Sequence, residues 1–126
     1  MTLSQTTHFS HERLDAFHAA LDLVEGVERI AAGFPEGYSH LKDQLRRSAA
    51  AALGNIVEGA NRMSPRDKSS RFQVAHGETG ECAGWLALAA RTKLASTEAV
   101  DELLRTADRI GAMTHGLARL WRSRAP

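Results

Sequence analysis

The sequence predicts an all-α fold, an antiparallel up-down-up-down four-helix bundle. Three observations carry that expectation. Apolar residues recur at spacings of three and four in four separate stretches, and no stretch alternates at period two for long enough to make a sheet. Only 3 prolines interrupt 126 residues, so few helix breakers are present. Turn-forming clusters also fall at intervals that leave long helices with short connections between them.

Ser10 is placed to cap the first helix, whose apolar stripe reads Leu14, Phe17, Leu21, Val24, Val27 and Ala31 before Gly33 stops it. Pro35, Gly37 and Ser39 break the pattern. Ser39 is the expected cap of a second helix running to about Arg62 through Leu41, Leu45, Ala49, Ala52 and Ile56, with Met63 closing its stripe. The run Ala49 to Ala52 with Gly54 and Gly59 makes this helix narrow and permits close approach to a neighbour.

Ser64-Pro65 starts a third helix, because serine caps, proline suits the first helical position and Asp67 lies near the positive end of the dipole. Its stripe is Phe72, Ala75, Thr79, Cys82, Leu86 and Ala89, and it is expected to end near Leu94. Ser96-Thr97 opens a fourth helix in which Val100, Leu103, Ala107, Ile110, Thr114, Leu117 and Trp121 form a seam. Helices of about 22 to 29 residues, roughly 35 Å long, joined by short connections favour antiparallel neighbours. Residues 1–126 are therefore read as one bundle domain, with 1–9 and 123–126 as frayed tails.

Composition narrows the function classes. With 43% hydrophobic and 25% charged residues the chain is globular rather than disordered. A single cysteine, Cys82, offers no internal disulfide, so the expected compartment is the cytoplasm, and no apolar run approaches the roughly 20 residues of a membrane span. Cys82 lies in an apolar stripe and reads as a small core residue, not a nucleophile. No phosphate loop, dinucleotide fingerprint or catalytic triad is visible, and no cofactor is expected.

Among six histidines, His11 and His18 share one face of the first helix with Asp15 and Asp22. A di-iron bundle site needs a Glu-x-x-His pair from each of two helices, and Asp15-x-x-His18 stands alone opposite Leu14 and Phe17, so the reading is a solvated face and not a metal site. A metal-dependent bundle enzyme using Glu58, Glu78 and Glu81 is the minor alternative.

Three constellations remain. Gln44, Ser48, Asn55, Glu58 and Arg62 share one face of the second helix and, with Arg47, form a candidate polar network that fixes the register of helices or subunits. Trp85 and Leu88 on the third helix, with Val74 and the second helix's Leu53 and Val57, exceed what one thin bundle buries and make a candidate interface between copies. Finally, an up-down-up-down order gathers Arg62, Arg66, Lys68, Arg71, Arg119, Arg122 and Arg124 at one pole, offset there by Asp67, although the formal net charge of the chain is only +1. Such a pole suits phosphate backbones without reading bases; solubility and helix-dipole stabilisation account for it equally well.

The stretch Gln44-Leu45-Arg46-Arg47-Ser48 through Asn55-Ile56-Val57-Glu58-Gly59 resembles the four-helix bundle protein family first noted in intervening sequences of bacterial 23S ribosomal RNA genes. Phe34-Pro35, Arg62, Ser64, Ala75-x-Gly77 and Glu81 support the resemblance, while Ala51-Ala52 and Glu78 depart from the family's common residues. The resemblance implies a cytosolic bundle that assembles as a ring-shaped homopentamer. It is similar in this to accessory proteins of diversity-generating retroelements, which bind a reverse transcriptase and nucleic acid. The resemblance implies no enzyme, and the leading expectation is a non-enzymatic homo-oligomeric scaffold that presents a repeated surface to a protein or nucleic-acid partner, with a nucleic-acid-binding module as the alternative.

Overall fold

The computed structural model describes residues 9–126. A 3-10 turn, Ser10–Arg13, precedes four helices: α1 (Asp15–Ala32), α2 (Ser39–Asn61), α3 (Pro65–Arg91) and α4 (Thr97–Ser123). Where the start signals are local they act as expected. The Ser64 hydroxyl accepts the Asp67 N–H at 3.0 Å with Pro65 as the first helical residue, and the Ser96 hydroxyl accepts the Ala99 N–H at 3.2 Å.

Five boundaries differ from the reading. Ser10 does not cap α1: it opens the 3-10 turn, Leu14 follows in an extended conformation, and α1 begins at Asp15. Ser39 is the first residue of α2 and not its cap, a position held by Tyr38 without a side-chain bond. Met63 leaves the α2 stripe, because the helix ends at Asn61 and Met63 is 95% exposed. α3 stops at Arg91, short of Leu94, where Lys93 adopts a left-handed φ of 62° and the Leu94 N–H turns back to the Ala89 carbonyl at 2.9 Å. α4 continues through Ser123 into the expected tail. The tail expected over 1–9 lies, Phe9 apart, outside the described residues.

The register of contacts gives the topology. α1 meets α2 through Glu28 with Arg46, while the turn before it meets α2's end through His11 with Asn61. Between α2 and α3, Arg47 reaches Glu78 and the Gly59 backbone meets Phe72. Between α3 and α4, Ser69 bonds Ala118 and His76 bonds Gly111. In each pair one number rises as the other falls, so successive helices run antiparallel. α4 returns to α1 with Leu103 against Gly26 and closes the square.

Leu23, Leu45, Ile56, Phe72, Leu86 and Ile110 fill the centre. α1 is rotated from the stripe read in the sequence: Ala16, Ala20, Leu23 and Val27 face the core, and Leu21 and Val24 are half-buried at its edges. Lying between two neighbours, α1 buries its alanines where backbones approach closely and leaves larger side chains to cover the seams. Burying these apolar groups at about 25 cal/mol per Å² is the main stabilising contribution. Buried Ser48, Thr79 and Thr114 return their hydroxyls to carbonyls of their own helices, whereas Ser69 ties α3 to the Ala118 carbonyl of α4 at 2.8 Å.

Candidate functional site

The antiparallel register brings the end of α2, the start of α3 and the end of α4 to one pole, which therefore carries all seven cations named from the sequence. They are not equivalent. Lys68 turns inward and donates to the Gly59 and Ala60 carbonyls, at 3.2 and 2.7 Å, filling bonds that the last turn of α2 leaves open. Its ammonium also lies 5.0 Å from the centre of the Trp121 ring, and burial pushes its pKa down. Arg124 sits 5.1 Å from the same ring.

Arg62 and Arg71 both turn to Glu58, at 2.6 and 3.7 Å. The hydrogen bond from Arg62, then its charge and that of Arg71, hold the Glu58 carboxyl below the usual carboxylate range. The same bond raises Arg62. Arg66, Arg119 and Arg122 are exposed and have no ion pair among the described residues. Glu58 thus joins Asp67 as a counter-charge that the sequence reading of the pole left out.

The proposed polar network divides into local units along the α3-facing edge of α2. Arg47 bridges to Glu78 at 3.2 Å and to Glu81. Ser48 bonds the Gln44 and Leu45 carbonyls, at 2.7 and 3.2 Å, and Asn55 bonds the Ala51 carbonyl at 2.9 Å. Asn55 is half-buried, whereas Glu58 is exposed at the outer rim of the α2/α3 seam.

The five candidate interface residues occupy two places. Leu53 and Val57 are half-buried against the core, eight and four residues before Asn61, on the edge of α2 that meets the 3-10 turn. Val74 and Leu88 lie on the other side of α2, on the rim of α3, each 42% exposed. Between them Trp85 is half-buried beside the His40 ring, and its indole N–H is enclosed without a hydrogen-bond partner. Glu78 and Glu81 complete this stripe.

Among the described residues no group of three or more His, Cys, Asp or Glu is placed to hold a metal ion. Glu58 is engaged by Arg62 and Arg71, whereas Glu78 and Glu81 share Arg47, so the three carboxylates fall into two separate ion-pair groups. His76 and His115 face each other across the α3/α4 groove, ring centres 5.7 Å apart, with His76 Nδ1 at 3.0 Å from the Gly111 carbonyl. Cys82 is buried, and desolvation pushes its thiol up to about 11, helped by the charge of Glu81 and opposed by the Ser48 hydroxyl.

A sequence model of the family described as "23S rRNA-intervening sequence protein" matches residues 12–116. The chain belongs to this family. Within the S23 ribosomal protein family, a crystal structure of a protein of unknown function from Bacteroides thetaiotaomicron superposes with a TM-score of 0.75 at 18% identity, covering 82% of this chain and 97% of that one. At that identity the likeness concerns the fold, and it agrees with the four-helix architecture. No curated protein gives a match. No helix among the described residues is long and apolar enough to cross a membrane.

One cluster lay outside the sequence reading. Asn61 bonds the Ser10 N–H and His11 Nδ1, and beside the same pole Phe9 stacks on His11, which meets Phe17 edge-on. The signal for it was slight: an asparagine in the last turn of α2 and a histidine just before α1, both polar positions beside an apolar stripe.

Proposed function

We propose that this family member is a non-enzymatic, cytoplasmic homo-oligomeric scaffold, a pentamer, that presents a repeated surface to a protein or nucleic-acid partner. The observation that carries the reading is the rim of α3, where exposed Val74 and Leu88 flank Trp85 on a helix whose other rim is already occupied by α4. Apolar residues placed in line along a helix, here eleven and three residues apart, resemble an interface seam more than scattered surface residues. Light scattering coupled to gel filtration tests it. The wild type should elute as an assembly, and Val74→Glu with Leu88→Glu should reduce its mass while leaving helicity intact. A wild-type monomer at micromolar concentration would remove the reading.

A second reading, nucleic-acid binding through the basic pole, is favoured by the unpaired Arg66, Arg119 and Arg122. These three reach solvent from two helices and form no ion pair with a carboxylate among the described residues. Binding to duplex DNA would then follow counterion release, with log K falling against log salt at a slope of about −2.7 for three phosphate contacts per engaged subunit. Charge reversal at Arg66 and Arg119 should weaken binding and flatten that slope, whereas reversal at Arg91 and Lys93, at the opposite pole, should leave both unchanged. Equal effects from both pairs would reduce the pole to a solubility feature.

A further inference from the structure

The 3-10 turn is not continuous with α1. Leu14 stands between them with φ −93° and ψ 126°, so Ser10–Arg13 can move as a unit about an extended residue while α1 keeps its own start. What holds the turn is Asn61, in the last turn of α2. Its Nδ2 donates to the Val57 carbonyl at 2.8 Å and its Oδ1 accepts the Ser10 N–H at 3.3 Å. Those two bonds fix which way the amide faces, because a flipped amide would set oxygen against the Val57 carbonyl and an N–H against the Ser10 N–H. The remaining hydrogen of Nδ2 points at His11 Nδ1, 2.9 Å away. His11 Nδ1 must therefore be the acceptor, and the ring proton resides on Nε2.

We infer that His11 and Asn61 form a pH-sensitive clasp, which holds the 3-10 turn against the basic pole when His11 is neutral and releases it on protonation. An imidazolium carries an N–H on both nitrogens, so protonation places Nδ1–H against the Asn61 amide hydrogens and replaces a bond by a repulsion. Among the described residues no carboxylate forms an ion pair with the ring. On α2, Glu58 and Arg62 line the same hollow as His11, but Glu58 is already engaged by Arg62 and Arg71. Around the turn, Arg13 is exposed, and α1 contributes Asp15 and His18 to this end of the bundle. The clasp covers apolar surface: the His11 ring sits edge-on to Phe17 at 4.7 Å and stacks on Phe9 at 5.8 Å, beside Val57. Acidification therefore uncovers an apolar strip and adds a positive charge beside Arg62. This inference is independent of the scaffold and nucleic-acid readings.

NMR of the full chain tests it. The His11 ring nitrogens report tautomer and protonation, and backbone relaxation of Ser10–Arg13 reports order. The neutral ring should show the Nε2–H tautomer, and acidification that protonates it should lower the turn's order parameter from about 0.85 to below about 0.6 while α1 stays rigid. His11→Gln, whose amide can accept from Asn61 at any pH, should keep the turn ordered throughout. Asn61→Asp should reverse the sign, because a carboxylate accepts both the Ser10 N–H and an imidazolium N–H. An Nδ1–H tautomer in the neutral ring, an unchanged turn through the titration of His11, or the wild-type pH response in either variant overturns the clasp.

Discussion

Gly59→Ala should lower stability even though it replaces the weakest helix former but one with the strongest. A Cβ built at Gly59 would meet the Phe72 ring at 2.9, 3.0 and 3.1 Å from Cε1, Cζ and Cδ1. Phe72 is 1% exposed at the centre of the core, so its ring has nowhere to retreat. Alanine gains about 0.5 to 1 kcal/mol in a helix interior, and less near the end of α2, whereas overpacking a filled core costs about 1 to 3 kcal/mol. The net expectation is a loss of about 1 to 2 kcal/mol. For a domain of this size that lowers Tm by roughly 4 to 8 °C, measured by far-UV circular dichroism. The matched control is Gly84→Ala on the outer face of α3, where an added Cβ meets nothing within 4 Å. It should raise Tm by a few degrees, roughly 2 to 4 °C. A Gly59→Ala protein as stable as wild type would refute the close-approach argument. Destabilisation by Gly84→Ala would show instead that another copy covers that face in solution.

The other predictions rest on single positions. Lys93 holds a left-handed φ of 62° that costs a side-chain-bearing residue about 1 to 2 kcal/mol, so Lys93→Gly should raise the denaturation midpoint, and no gain would mean the strain is absent. Cys82, buried and pushed up to about 11, should resist iodoacetamide in the folded protein at pH 8 and react at once in denaturant; labelling of the native state at a free-thiol rate would contradict its placement. Glu58 should titrate below the ordinary carboxylate range in NMR, and Arg62→Gln should return it towards that range. The sign follows from the depression: the ion pairs are intact above the ordinary range and are lost as pH falls through the lowered value, leaving the pole more positive in acid.

The parts of the fold that the sequence revealed are those decided within one turn of chain. Ser64, Pro65 and Asp67, like Ser96, do their capping with neighbours three residues away, so α3 and α4 begin where a local reading puts them. Ser10 looks like the same kind of signal, but its N–H is taken by Asn61, fifty-one residues on, and the hydroxyl caps nothing. The rotation of α1 was hidden for another reason. Its alanines at 16, 19 and 20 score as neutral in a pattern of large apolar residues, yet they are the residues that a helix wedged between two neighbours buries completely or nearly so. Lys93 shows the same limit, since lysine gives no notice of a left-handed turn.

For the basic pole, sequence and topology together gave the membership but not the charge that remains available. The Glu58 to Arg62 pair, four residues apart on one helix, was open to reading. The packing of Arg124 on Trp121, three residues back, was open in the same way, but the reach of Arg71 across to Glu58 and the burial of Lys68 in the end of α2 were not, because each joins residues from different helices. Those engagements leave Arg66, Arg119 and Arg122, of the seven formal cations, as the ones that neither a carboxylate nor a ring holds among the described residues. Three phosphate contacts give only weak attraction at physiological salt, since each adds about one counterion's release. One subunit alone is thus a poor ligand for a nucleic acid. Copies whose poles lie on one side of an assembly would multiply that attraction by effective concentration, without any new contact. The two proposed readings are therefore coupled. If the Val74 and Leu88 variants disperse the assembly, they should also abolish DNA binding while leaving every arginine in place, and DNA binding by the dispersed subunits at wild-type strength would separate the two.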